Sequence, residues 1–187
     1  MLHHKNPRIR FKKPTELKRP SLLLNKTMSL NEIALTMIDG RPTTFGEYAG
    51  KVVLVVNVAS RCGLTPQYEA LEALQKKYGA RGFTVLGVPS DQFKQELKGN
   101  DDVAEYCSTT WGVTFGMTEK AFVNGKKQHE LFKVLKKNKD KNGLGGPVMW
   151  NFEKFLVLPT GEVHRFRPTT KPDDEAIVAL IEANLPN

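Results

Sequence analysis

The seven residues from Val52 to Val58 constrain the fold more than any other segment of this 187-residue chain. They are apolar except for Asn57, and most of them are β-branched, which favours an extended strand. Apolar and polar side chains do not alternate along the run, so both faces of the strand are predicted to be buried. A strand of that kind lies at the centre of a sheet whose two faces are covered by helices.

The segments around this strand predict the rest of a layered fold. Further strands are expected at Ile33 to Ile38, Phe83 to Val88, Phe155 to Leu158 and Val163 to Phe166, with a short strand-like piece ending at 123–125. Helices are expected to begin at Pro66 with Thr65 as the cap, at Asp101 with Asn100 or Asp101 as the cap, at Glu130 and at Asp173. This order predicts an α/β, thioredoxin-like fold, in which a central mixed β-sheet has helices on both faces.

The positive charge of the chain is concentrated at its N-terminus. Residues 1–27 contain eight lysines and arginines against one acidic residue, so they carry almost all of the formal net charge of +8. We expect residues 1–27 to form a basic, disordered extension and residues 28–187 to form one globular domain. The alternatives for the extension are organellar targeting and binding to nucleic acid or an anionic membrane. Its three prolines interrupt any amphipathic targeting helix, and no nucleic-acid partner is predicted.

Composition favours a reducing compartment and excludes a membrane-spanning protein. The chain has two cysteines, Cys62 and Cys107, and no secretory signal, so the cytoplasm is the expected location. No apolar run approaches the roughly 18 residues that span a bilayer, so no stable membrane insertion is expected. The four histidines have no ligand-like spacing to the cysteines and give no recognisable base for a cysteine protease. Neither a metal nor another cofactor is predicted.

Cys62 occupies the position with the clearest chemistry. It follows the predicted central strand and precedes the helix that begins at Pro66. In sheets covered on both faces, reactive groups collect at the carboxyl ends of the strands. A helix N-terminus offers free backbone N–H groups and partial positive charge, which favour the thiolate form of a nearby cysteine. The thiolate is the nucleophilic and readily oxidised form, so Cys62 is the candidate reactive residue, with an ordinary buried thiol as the alternative.

Three ordered segments around this position carry a family resemblance. They are Asn57 to Tyr68, then Asp91-Gln92-Phe93 followed by Gln95-Glu96, and finally Trp150 to Val157. In this order they resemble the three motifs of the glutathione peroxidases. The resemblance implies a thiol peroxidase that reduces hydrogen peroxide and organic or lipid hydroperoxides through a sulfenic acid at Cys62, in the response to oxidative stress.

The resemblance also implies roles for other residues. Gln92, Trp150 and Asn151 match the polar partners of the reactive sulfur, and their N–H groups would stabilise the thiolate or the leaving oxygen. Cys107 matches the resolving cysteine of thioredoxin-dependent members, which forms a disulfide that thioredoxin reduces. The helix of Cys107 has to loosen before it can reach Cys62. The alternatives are glutathione or another small thiol as the direct reductant, and a redox sensor with slow turnover.

The chain departs from the usual family pattern at three places. The reactive position holds cysteine rather than selenocysteine. Ser90-Asp91 stands where many members have Cys-Asn, which brings a carboxylate near the site, and we expect Asp91 to face away from the sulfur. The loop between Lys137 and Trp150 is short, as in compact members that lack the tetramer contacts, so a monomer is expected.

Overall fold

The computed structural model describes residues 29–186, and the basic segment 1–27 lies outside the described residues. The strands are β1 (Ala34–Thr36), β2 (Pro42–Thr44), β3 (Val52–Val58), β4 (Phe83–Pro89), β5 (Gly116–Met117), β6 (Lys154–Val157) and β7 (Val163–Phe166). The α-helices are α1 (Gln67–Tyr78), α2 (Asn100–Trp111), α3 (Glu130–Leu135) and α4 (Glu175–Asn184). Within this described part, no helix is long and apolar enough to span a bilayer.

Strand β3 supplies side chains to two hydrophobic cores on opposite faces of the sheet. Val52, Leu54 and Val56 pack in one core with apolar residues of α1, α2 and α4. Val53 and Val55 pack in the other core with apolar residues of α3 and β1. All seven residues of β3 are buried, because helices cover both faces. The predicted α/β class with a doubly covered central strand is therefore confirmed.

The sheet is mixed and has the strand order β5-β4-β3-β6-β7. Strand β4 runs parallel to β3 on one side, with Pro89 beside Val58. Strand β6 runs antiparallel to β3 on the other side, with Lys154 beside Val56. The carboxyl ends of β3 and β4 and the amino end of β6 consequently lie at one edge of the sheet. Each of the three family motifs begins or ends at this edge.

Some predicted boundaries are wrong for identifiable physical reasons. Residues 123–125 form a loop rather than the end of a strand, because a side chain from another loop accepts the backbone N–H groups of Val123 and Asn124. Helix α4 begins two residues later than expected, and the Asp174 carboxylate caps it by accepting the Ala176 N–H at 3.0 Å. Strands β2 and β5 have three and two residues, which is too short to produce a readable pattern.

Candidate active site

Cys62 lies in the loop between β3 and α1, and the hydroxyl of Thr65 closes that loop. The hydroxyl accepts the Cys62 backbone N–H at 3.0 Å and donates to the Ala59 carbonyl at 2.9 Å. The Thr65 backbone N–H donates to the Cys62 carbonyl at 3.0 Å. The prediction that the Thr65 side chain caps α1 is wrong, because the hydroxyl is engaged within the loop and Pro66 precedes the helix without a side-chain cap. Thr65 instead fixes the backbone of Cys62 against the end of β3.

The sulfur of Cys62 receives a backbone N–H from the same loop. Leu64 donates to Sγ at 3.4 Å, and this is the one hydrogen bond to the sulfur within residues 29–186. Cys62 is 7% exposed, so the sulfur is sheltered without being sealed. The 12-residue helix α1 begins five residues later and contributes the positive end of its dipole. An N–H directed at sulfur stabilises the thiolate relative to the neutral thiol.

Gln92 lies on the loop after β4, and its amide holds a neighbouring segment. Its Oε1 accepts the N–H groups of Val123 at 2.6 Å and Asn124 at 2.7 Å, while Nε2 donates to the Asn124 carbonyl at 3.2 Å. The side chain makes no hydrogen bond to Cys62 in the described part of the chain. Asp91 is exposed, and its carboxylate accepts the Glu96 N–H at 3.2 Å.

Trp150 and Asn151 lie just before β6, at the same edge of the sheet. Trp150 is 41% exposed, and its ring packs against Phe93 with a centroid distance of 5.1 Å. Asn151 is fully buried, and its Nδ2 donates to Gln95 Oε1 at 2.9 Å. Its Oδ1 has no hydrogen-bond partner among the described residues. In this conformation neither residue donates to the Cys62 sulfur, so their predicted roles in the reaction stay predictions.

Asn57 anchors the segment that contains Trp150 and Asn151. Its Nδ2 donates to the Trp150 carbonyl at 3.0 Å, and its Oδ1 accepts the Glu153 N–H at 3.0 Å. Its backbone carbonyl accepts the Phe152 N–H at 2.6 Å. Asn57 belongs to the first motif, but this anchoring role was not predicted from the sequence. The sequence does contain a signal for it, because a single amide side chain inside an apolar strand must find buried hydrogen-bond partners.

Phe152 adopts a backbone conformation that a bulky side chain rarely tolerates. Its φ is +65°, and its buried ring packs edge-on against Tyr68 at a centroid distance of 5.4 Å. Such a conformation costs roughly 1–3 kcal/mol and persists only where its surroundings enforce it. The buried Lys154 amine is one such support, since Nζ donates to the Phe152 carbonyl at 2.7 Å and to the Pro168 carbonyl at 3.1 Å. Burial lowers the pKa of Lys154 to about 7.

A buried ion-pair network fastens the loop that leads into Trp150. The Glu153 carboxylate accepts from Arg165 Nε at 2.6 Å, from Arg167 Nη1 at 2.9 Å and from the Met149 N–H at 2.8 Å. Arg165 also donates to three loop carbonyls, those of Asn138, Gly146 and Pro147. The compact loop expected from its length is therefore tied to the sheet by two arginines.

Cys107 lies on α2 and is held away from solvent. It is 1% exposed, and both cysteines are free thiols. Burial raises the pKa of Cys107 to about 11, against the lowering effect of the nearby Tyr68 hydroxyl, and the Glu96 carboxylate raises it further. At neutral pH Cys107 is accordingly a thiol in this conformation.

Comparison with known proteins assigns the chain to a family. The sequence model of the glutathione peroxidases matches residues 30–136. The chain belongs to the glutathione peroxidase family. The glutathione peroxidase-like peroxiredoxin HYR1 of Saccharomyces cerevisiae is 48% identical over 148 residues, which cover 76% of this chain and 90% of the yeast protein. The thioredoxin/glutathione peroxidase BtuE of Escherichia coli is 43% identical over 169 residues, covering 79% of this chain and 92% of that protein.

A solved glutathione peroxidase structure shares the fold. The crystal structure of T. cruzi GPX1 matches with a TM-score of 0.65 and 30% identity, covering 83% of this chain and 97% of that one. The identification made from the three motifs, the thioredoxin-like fold and the peroxidase class are thus confirmed. The residues that the family model matches include Cys62, Gln92 and Cys107, whereas Trp150 and Asn151 lie beyond it.

Replacing Thr65 with valine tests the closure of the Cys62 loop. Valine keeps the size of the side chain but leaves the Cys62 N–H and the Ala59 carbonyl without their partner. We expect the free energy of unfolding to fall by about 1–3 kcal/mol and the reaction of Cys62 with hydrogen peroxide to slow. Urea unfolding and stopped-flow oxidation measure the two effects. Thr65→Ser keeps the hydroxyl and should retain both properties, so equal oxidation rates for the two variants would contradict this role.

The buried amine of Lys154 predicts a pH dependence of stability. Between pH 7 and about 10, the unfolded chain holds the Lys154 proton and the folded chain has lost it, so stability attributable to this residue rises with pH. The unfolding free energy of the wild type minus that of Lys154→Met should therefore increase from pH 7 to pH 9.5 in urea titrations. The exposed Lys126→Met is the control and should give a constant difference. A flat difference for Lys154→Met would refute the assignment.

Proposed function

We propose that this chain reduces hydrogen peroxide and organic or lipid hydroperoxides with Cys62 as the attacking group. The observation that carries the proposal is the setting of the Cys62 sulfur. It lies before the N-terminus of α1, accepts the Leu64 N–H at 3.4 Å and retains 7% exposure. These features place the sulfur beside a backbone N–H donor, where a small oxidant can reach it.

In the first step the Cys62 thiolate attacks one oxygen of the hydroperoxide. The O–O bond breaks, the attacked oxygen stays on sulfur as a sulfenic acid, and the other oxygen leaves as an alcohol or water after taking a proton. Neutral N–H donors stabilise the charge that develops on the leaving oxygen. Gln92, Trp150 and Asn151 are the proposed donors. Each of the two amides has a second N–H beyond the one already engaged, so neither has to release its present partner.

In the second step Cys107 attacks the sulfenic sulfur. A disulfide with Cys62 forms, and the sulfenic oxygen leaves as water with the thiol proton. Because Cys107 is 1% exposed and neutral in this conformation, α2 has to open first. Exposure to water removes the burial that raises the pKa of Cys107, and so increases its thiolate fraction.

The C-terminal half of α2 has features that favour such an opening. The hydroxyls of Ser108 and Thr109 donate to the Glu105 carbonyl at 3.0 and 2.7 Å, in competition with the helical backbone bonds. The indole N–H of Trp111 is buried without a partner among the described residues, so it gains a hydrogen bond with water when the helix opens.

Reduced thioredoxin is the proposed reductant of the disulfide. A second thiol in the chain favours exchange with a dithiol protein, which restores both Cys62 and Cys107. Glutathione acting directly on the sulfenic acid is the alternative. The cytoplasm, which supplies either reductant, is the proposed location, and a monomer is the proposed assembly.

Variants of the two cysteines separate these possibilities. Cys107→Ser should react with the first equivalent of hydrogen peroxide at the wild-type rate, because Cys62 is intact. Its steady-state turnover with thioredoxin, thioredoxin reductase and NADPH should fall at least about tenfold, since no disulfide can form. Cys62→Ser is the matched control and should show neither reaction. Undiminished thioredoxin-dependent turnover in Cys107→Ser would exclude the resolving role, and peroxide reduction by Cys62→Ser would exclude the attacking role.

A further inference from the structure

Two consecutive residues, Gln95 and Glu96, connect the segments of the proposed site. The Gln95 carbonyl accepts the Arg61 N–H at 2.9 Å, directly beside Cys62. The Gln95 side chain accepts from Asn151 Nδ2 at 2.9 Å. The buried Glu96 carboxylate accepts the Ser60 N–H at 3.1 Å. The loop of Cys62 and the segment of Asn151 are thereby joined through the loop that follows β4.

The Asn151 amide depends on Gln95 for its orientation. Asn151 is fully buried, and the bond to Gln95 Oε1 is the one side-chain hydrogen bond that it makes within residues 29–186. This bond turns Nδ2 towards Gln95 and Oδ1 away from it, which is the reverse of the arrangement that rotation of the amide by half a turn would give. In this orientation Oδ1 and the second N–H of Nδ2 are left available, and Oδ1 is buried without a partner among the described residues.

We propose that Gln95 is a positioning residue for peroxide reduction. Its side chain orients the Asn151 amide so that the second N–H and the Oδ1 of Asn151 face the hydroperoxide. The inference rests on the proposed function of Cys62. A hydroperoxide carries an O–H donor, which satisfies the buried Oδ1, and an oxygen that accepts the remaining N–H as the O–O bond breaks. Gln95 itself touches neither the sulfur nor the peroxide and acts through Asn151.

The Cys62 loop is anchored by groups other than the Gln95 side chain, so the positioning role can be tested separately from a general contribution to folding. Arg61 is held by the backbone carbonyl of Gln95, and Ser60 is held by Glu96, so both contacts survive replacement of the Gln95 side chain. A substitution at Gln95 consequently leaves the Cys62 loop anchored and releases only the Asn151 amide.

The test begins with Gln95→Met, which keeps the length of the side chain and removes its amide. The rate constant of Cys62 oxidation by hydrogen peroxide, measured by stopped flow, is expected to fall about three- to tenfold, the equivalent of one lost hydrogen bond. Gln75→Met is the matched control. The Gln75 side chain also accepts a hydrogen bond, in its case from the Val85 backbone N–H at 2.8 Å, but it lies towards the far end of α1 from Cys62. It should leave the rate unchanged.

A double-mutant cycle with Asn151→Ala decides whether Gln95 acts through Asn151. Asn151→Ala alone should slow oxidation, and adding Gln95→Met should slow it no further. An unchanged rate in either single variant, or the same factor for Gln95→Met in both backgrounds, overturns the inference. If Gln95→Met does not fold, as judged by circular dichroism, Gln95→Ala replaces it with the same expectations. Failure of the wild type to consume peroxide would instead overturn the proposed function of Cys62.

Discussion

Asn57 buries an amide in a sheet that helices cover on both faces, so every polar atom of that amide needs a partner within the protein. The chain meets this requirement by bonding Asn57 to the backbone of Trp150, Phe152 and Glu153. The third motif is thereby fixed to the end of the strand that leads to Cys62, although more than 80 residues separate the two in sequence. The burial of β3 between helices therefore also determines where Trp150 and Asn151 lie, because the buried Asn57 amide binds the backbone of their segment.

The two halves of the proposed reaction place opposite demands on the protein. Around Cys62 and Asn151 the backbone is held at several points: the Thr65 hydroxyl closes one loop, and the buried Lys154 amine and Glu153 carboxylate hold the other, including the strained Phe152. Cys107 instead lies in a helix whose last turns contain competing hydroxyls and an indole N–H that has no partner within residues 29–186. Rigid support suits attack on a peroxide, whereas disulfide formation requires one thiol to leave its buried position.

Patterns local to the sequence predicted much of this arrangement. The apolar, β-branched run of β3, which only Asn57 interrupts, predicted the bounds and the burial of the strand, and the residues and order of the three motifs indicated the family. The contacts of single side chains were not predictable, because they depend on which loops meet in space. Thr65 is of a residue type that often caps helices, but its hydroxyl bonds within the Cys62 loop. The backbone N–H of Val123 is bound by Gln92, which lies 31 residues earlier in the chain. The Gln95–Asn151 bond spans 56 residues, and neither residue type signals it.

In the proposed cycle, peroxide oxidises Cys62 to a sulfenic acid, which Cys107 converts to a disulfide. The most direct test is the mass and free-thiol count of the reduced protein, taken seconds after one equivalent of hydrogen peroxide and followed by peptide mapping. The proposed cycle predicts the loss of both thiols and a single linked peptide pair that joins Cys62 to Cys107. Oxidation confined to Cys62 as a sulfenic or higher acid would contradict the resolving role of Cys107, and an unmodified Cys62 would contradict the proposed peroxidase function.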